Sequence, residues 1–223
     1  MKFVDLGTIG YRQAWDQQHR AHEKVMNGGE EIIFFLEHTP VITLGRQSQK
    51  SAENLLFSAD ELEARGIELI ESDRGGNVTF HGPGQLVVYP IIRLIDYTLS
   101  VGAYVRLLQE GVIEALFQIG IESELSPANV GVWAREKDNE IAPLAKVCAV
   151  GVRVKRGVTM HGLALNLTTN LNYFQFINPC GLSLPVTSVL RLTNQDCAAI
   201  APMKVRLATI FRQKLDSIRR TPS

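Results

Sequence analysis

The order of patterns along the chain predicts an α+β fold, a mixed β-sheet packed with helices on one side. Strand-like runs crowd the centre and the half after residue 125, and helical periodicities bracket them. Their order is too irregular for a doubly wound nucleotide fold, and neither GxGxxG nor GxxxxGK[ST] occurs. At 223 residues the chain can bury a full core without metal or disulfide. With no repeat, low-complexity linker or break in composition, one domain over 1–223 is the economical reading.

After a short apolar start, Tyr11, Ala14, Trp15, Gln18, His22, Val25 and Met26 recur at helical spacing, and Asn27-Gly28-Gly29 stops the helix. EIIFFLE reads as a strand. His38-Thr39-Pro40 leads into a second, VITLG, which predicts a hairpin or a bent crossover. Ser58 and Glu61 form a capping-box pattern, because the hydroxyl can accept from the third amide while the carboxylate returns to the cap amide; a short helix through Ala64 follows. IELIES is then a strand. In DRGGNVTFHGPGQLVVYPII, glycines and Pro83 interrupt β-rich runs, and ordering glycine is entropically expensive, so this loop is expected to line something. LVVYPII reads as a central strand. Ser100 to Gln118 supplies a helix with Tyr104, Leu108, Val112 and Ala115 on one stripe. NVGVWARE, APLAKVCAVGVRV and MHGLALNLT predict three strands, and a helix from Ala201 to Arg219, with Pro202 in its first turn, ends the pattern.

Lys+Arg 23 against Asp+Glu 23 argues against a nucleic-acid binder dependent on released counterions. MKFVDLGTIG lacks the basic and apolar regions of a signal peptide, and no apolar run approaches the roughly 18 residues of a bilayer span, so a cytoplasmic protein without membrane insertion is expected. Three cysteines cannot build a disulfide framework; without HExxH or CxxC no metal site is expected, and His19 and His22 read as helix surface.

Cys180, in a Pro179-Cys180-Gly181 turn, reads either as a small buried hydrophobe or as a nucleophile, whereas Cys148 in its strand and Cys197 in a helical turn read as core. A thiol with a reference pKa near 8.5 needs a base or cation beside it, and His81, His161 and Lys146 are the available partners. Lys146 interrupts an apolar run, where alternation puts it on one face with Cys148 and Val150. It is either a strand-edge lysine that snorkels to water or, if buried, a base. Asp73-Arg74-Gly75-Gly76 suits either an anion- or amide-recognising loop or a simple Asp/Arg turn.

Taken together and in order, DRGGNVTFHGPGQLVVYPI, GVW, LAKVCAVGVRVKRGVTMHGLALNL and FQFINPCG closely resemble the lipoyl(octanoyl) transferase family, over residues 3 to 215. The resemblance implies the fold of the biotin/lipoate protein ligase catalytic domain. It also implies transfer of an octanoyl group from octanoyl-acyl carrier protein to the lysine of a lipoyl domain, in 2-oxoacid dehydrogenase E2 subunits or the glycine cleavage H protein, without a cofactor. On it, Cys180 carries the acyl thioester and Lys146 is the general acid and base. Arg74, Gly75, Gly76, Asn77, Thr79, His81, Gly82, Gly84, Val150, Gly151, His161, Gly162 and Ala164 form the substrate pocket. Phe80 stands where the family commonly has Tyr, and LSLPVTS after Cys180 departs from a more Gly-rich continuation. Since such partner proteins are commonly acidic, Arg46, Arg74, Arg153, Lys155 and Arg156 become candidate encounter contacts; the oligomeric state stays open, with a monomer the simplest case. Two other readings stand beside it: an ATP-dependent lipoate or biotin protein ligase on the same fold, and a non-catalytic acyl or carrier-protein binding module.

Overall fold

In Ile32–His38 residues of both parities are apolar, so this strand must be covered on both faces. A computed structural model describes residues 1–46, 54–127, 129–136, 143–178, 185–193 and 199–220, and there both faces are covered. Strand β1 (Lys2–Ile9) precedes helix α1 (Tyr11–Met26) and β2 (Ile32–His38). Phe34 and Leu36 of β2 join Ala14, Ala21 and Val25 of α1 in one buried cluster, while Ile33 and Phe35 join the cluster on the opposite face. That second face is covered by α3 (Val101–Phe117) and α5 (Ile200–Ile218), which contribute Tyr104, Leu108 and Val112, and Leu207, Ile210 and Phe211. The expectation of helices on one side is therefore corrected.

The described strands form two sheets. The larger runs β1-β2-β6-β10-β9-β8-β7, with β6 (Gln85–Ile91), β7 (Ser123–Leu125), β8 (Val132–Ala134), β9 (Ala145–Lys155) and β10 (Val158–Asn166). Its β1–β2 pair is parallel and its other pairs antiparallel, so the sheet is mixed as expected. The smaller is β4-β3-β5, with β3 (Val41–Leu44), β4 (Glu68–Glu71) and β5 (Thr79–His81). Thus β2 and β3 are not a hairpin: His38-Thr39-Pro40 carries the chain from one sheet to the other, which is the crossover alternative.

Helix α2 (Ala59–Glu63) has the expected capping box, with the Ser58 amide donating to Glu61 Oε2 at 2.8 Å and the Glu61 amide donating to Ser58 Oγ at 3.3 Å. It closes one side of the small sheet, whose core holds Ile42, Leu62, Ile67 and Phe80. Strands β9 and β10 join through Arg156 and Gly157, both at positive φ (51° and 77°), as a two-residue hairpin turn requires. A short helix, α4 (Val189–Thr193), packs Val189 and Leu192 into the larger core.

Candidate functional site

A cavity of about 200 Å³ opens between the end of the small sheet and strands β9 and β10 of the large one. The chain leaving β4 lines it with Arg74, Gly75, Gly76 and Asn77, and β5 adds Thr79 and His81. Lys146, Val150 and Gly151 come from β9; His161, Gly162 and Ala164 come from β10. The loop reaches the large sheet because the contact has no side chains: the Gly75 amide donates to the Val152 carbonyl at 3.0 Å, and a Cβ on Gly151 would sit 2.8 Å from the Gly75 carbonyl oxygen.

Two of the expected pocket residues lie elsewhere. Gly82 covers the Phe80 ring, where a Cβ would fall 2.5 Å from Cζ, and Gly84, at φ +80°, packs on Thr168 and donates its amide to Glu37 Oε2 at 2.8 Å. Neither lines the cavity, because the HGPG turn is consumed in joining the two sheets. Phe80 also faces away, stacked 4.6 Å from Tyr173 in the small core. Cys180 and Cys197 lie outside the described residues.

Lys146 is half-buried and projects into the cavity, with Nζ 4.8 Å from the centre of the Trp133 ring. Alternation is broken here by a bulge: Val132 pairs with Cys148 and Trp133 with Lys146, so two steps on β9 oppose one on β8. Consequently Val147 and Cys148 both enter the core, and the expectation that Lys146 shares a face with Cys148 is corrected. Burial pushes the Cys148 thiol up to about 12, which makes it inert.

Arg74 is buried and, among the described residues, its guanidinium bonds to neutral acceptors: Nε and Nη2 donate to Thr43 Oγ1 at 3.0 and 2.9 Å, Nη2 to the Thr43 carbonyl at 2.7 Å, and Nη1 to the Gly75 carbonyl at 3.0 Å. Desolvation lowers its pKa. Arg74 and Arg153 are not free encounter cations, since Arg74 is internal and Arg153 pairs with Asp73. Asp73 Oδ1 also lies 2.7 Å from His161 Nε2, and the His161 amide donates to Gln18 Oε1 at 2.7 Å. His161 holds φ +56°, a left-handed conformation uncommon for a residue with a side chain, and its buried Nδ1 has no hydrogen-bond partner among the described residues. Burial, then the nearby Arg74 and Arg153, pull its pKa down to about 3. His22 is also buried, with Nε2 3.1 Å from the Lys155 carbonyl, and is not the helix-surface group the spacing suggested.

Gln85, Asn166, Tyr89 and Trp133 also line the cavity but carry no role in the sequence reading. Gln85 and Asn166 were visible only as polar letters closing apolar runs, in HGPGQ and HGLALN. No group of three or more His, Cys, Asp or Glu among the described residues is arranged to hold a metal ion, and no helix among them is long and apolar enough to cross a membrane.

Residues 10–211 match the lipoyl protein ligase A/B catalytic domain family. The chain is 46% identical over 188 residues to an octanoyltransferase of Solibacter usitatus, covering 84% of this chain and 81% of that one. It is 41% identical over 204 residues to an octanoyltransferase of Chloroflexus aurantiacus, covering 91% and 88%. Among solved structures, a bi-partite lipoate protein ligase from Thermoplasma acidophilum superposes with a TM-score of 0.72 at 16% identity, over 96% of this chain and 83% of that one. A biotin protein ligase from Aquifex aeolicus gives 0.55 at 13% identity, over 97% and 69%. At these identities the two structures bear on the fold alone, which is that of lipoate and biotin protein ligase catalytic domains.

Proposed function

The chain belongs to the octanoyltransferases of the lipoyl protein ligase A/B catalytic domain family, and from that premise we propose that it moves an octanoyl group from octanoyl-acyl carrier protein to the acceptor lysine of a lipoyl domain through a thioester on Cys180. Lys146 is the general acid and base, the whole chain acts as one catalytic unit in the cytoplasm, and the acceptors are lipoyl domains of E2 subunits and of the glycine cleavage H protein. One observation supports this above the others. The Lys146 amide donates to the Pro185 carbonyl at 2.8 Å and the Thr187 amide donates to the Lys146 carbonyl at 3.0 Å, so the cavity lysine is tied by its backbone to residues that follow Cys180 in the sequence.

In the first half-reaction Lys146 takes the thiol proton, Cys180 sulfur bonds to the acyl carbon, and the carrier's C–S bond breaks; the proton then leaves with the carrier thiol. In the second, the acceptor amine bonds to the same carbon, the Cys180 C–S bond breaks, and Lys146 takes the amine proton and returns it to the thiolate. The thioester already carries the activation, so no ATP is used. Intact-mass analysis tests the reading: the enzyme should gain one octanoyl group at Cys180 from octanoyl-carrier protein and pass it to a lipoyl domain without ATP or magnesium. Efficient transfer by C180A, strict ATP dependence, or use of free octanoate with ATP would overturn it and favour a ligase.

A further inference from the structure

Beside Lys146 the polar side chains form a series in which every hydrogen can be placed from acceptor-only groups. The Thr187 carbonyl can only accept, so the Asn166 atom 3.0 Å from it is the amide nitrogen, and Asn166 Oδ1 is turned to Gln85. Gln85 Nε2 donates to that oxygen at 2.9 Å and to the Phe80 carbonyl at 3.2 Å. Gln85 Oε1 is therefore the atom 2.7 Å from His81 Nδ1, which must carry the hydrogen and donate it. All three side chains are buried and line the cavity. His81 is thus fixed as one tautomer, with Nε2 an acceptor only.

We propose that His81 Nε2 orients the attacking amine of the acceptor lysine by accepting one of its N–H bonds, with Gln85 and Asn166 as positioning residues that fix the tautomer. This rests on the transferase reading. A neutral amine brings a lone pair and two N–H bonds to the thioester carbon. When C–N forms and the Cys180 C–S bond breaks, one amine proton passes to Lys146. The other remains on the nitrogen of the product amide, and the group facing it must accept a hydrogen bond without taking the proton. A buried imidazole does this, since desolvation, then His38 and Arg74, hold its basicity well below that of a free histidine. The first half-reaction brings a thiol and no N–H to the same carbon, so removal of His81 Nε2 should weigh on the second half.

His81→Asn keeps a donor to Gln85 Oε1 but has no Nε2. In single-turnover kinetics H81N should slow transfer from preformed octanoyl-enzyme to a lipoyl domain about 100-fold, with a much smaller effect on acylation by octanoyl-carrier protein. Imidazole ¹⁵N NMR should find His81 of the native protein protonated at Nδ1 and not at Nε2 through the neutral range, and Gln85→Leu should abolish that preference. Native-rate transfer by H81N, equal losses in both halves, or an Nε2–H tautomer in the native protein would overturn the inference alone. Failure of the native protein to form any octanoyl-enzyme would instead overturn the thioester reading, and the inference with it.

Discussion

Trp133 and Lys146 are paired across β8 and β9, with the lysine ammonium over the indole ring and the Gly131 backbone passing against the lysine stem. Gly131 has φ +137°, and a Cβ there would lie 2.7 Å from the Cys148 carbonyl oxygen and 3.1 Å from Lys146 Cε. Gly131→Ala should therefore displace the lysine, and a misplacement near 1 Å is enough to lose about 100-fold in rate. Acyl-enzyme formation by G131A, measured beside a thermal melt, checks this. A folded G131A with the native rate would show that the contact is only packing.

Asp73 is shared by Arg153 and His161, so it orders both the loop and the strained residue of β10. Asp73→Asn leaves an oxygen for His161 but no charge for Arg153. The double-mutant cycle of D73N with R153M should return a coupling energy of about 0.5–3 kcal/mol, the range for residues in one network. Urea unfolding of the four proteins measures it, and a value near zero would make the pair incidental.

Local signals were enough for several elements. The capping box at Ser58 and Glu61, the stripe of α1, and the β9 and β10 strands each depend on neighbours a few residues apart. Much of the cavity was also legible, through the Arg74–Asn77 loop, Lys146 and the His161-Gly162 pair. What stayed hidden depends on distant partners. The opposite faces of β2 are both apolar, which says that two covers exist but not which helices supply them. Gln85 and Asn166 acquire a role only when strands 81 residues apart bring their amides together. The bulge that separates Lys146 from Cys148 leaves no trace in the alternation VCAVGV, since Val147 and Cys148 are both acceptable in a core.

Phe80 should matter for the small sheet rather than for acyl fit. Its ring is buried and does not line the cavity; it stacks on Tyr173 and meets Phe174, which does line the cavity, edge-on at 5.7 Å. Phe80→Ala should cost about 3–5 kcal/mol, whereas Phe80→Leu, which keeps most of the apolar volume, should cost less and leave acyl-chain preference unchanged. Denaturant midpoints and transfer rates with hexanoyl, octanoyl and decanoyl donors separate the two roles. A shifted chain-length preference in F80L would return Phe80 to the pocket.

Acid should destabilise the protein through its buried histidines. His38 gives Nδ1–H to the Ile9 carbonyl at 3.1 Å and accepts from the Tyr89 hydroxyl at 2.8 Å, and burial pulls its pKa down to about 4. His161, facing Asp73, Arg74, Arg153 and His19, is pulled to about 3, and His81, facing His38 and Arg74, well below its ordinary value. His19 and His22 shift the same way. In the unfolded chain each binds a proton near pH 6.5, so between about pH 6.5 and 4 the unfolded state holds more protons than the folded one. Stability is then fully present above 6.5 and falls as the pH falls, approaching about 1.4 kcal/mol per pH unit for each fully buried histidine. The exposed carboxylates with lowered pKa, Asp5, Glu30 and Glu61, add their loss only below the ordinary carboxylate range, outside most of this window. Urea unfolding between neutral pH and about pH 5 should show the decline, and H38N should decline less steeply by one proton. Equal unfolding free energies at the two ends would mean that these histidines already carry their protons in the folded protein, contrary to the bond that His38 Nε2 accepts from the Tyr89 hydroxyl.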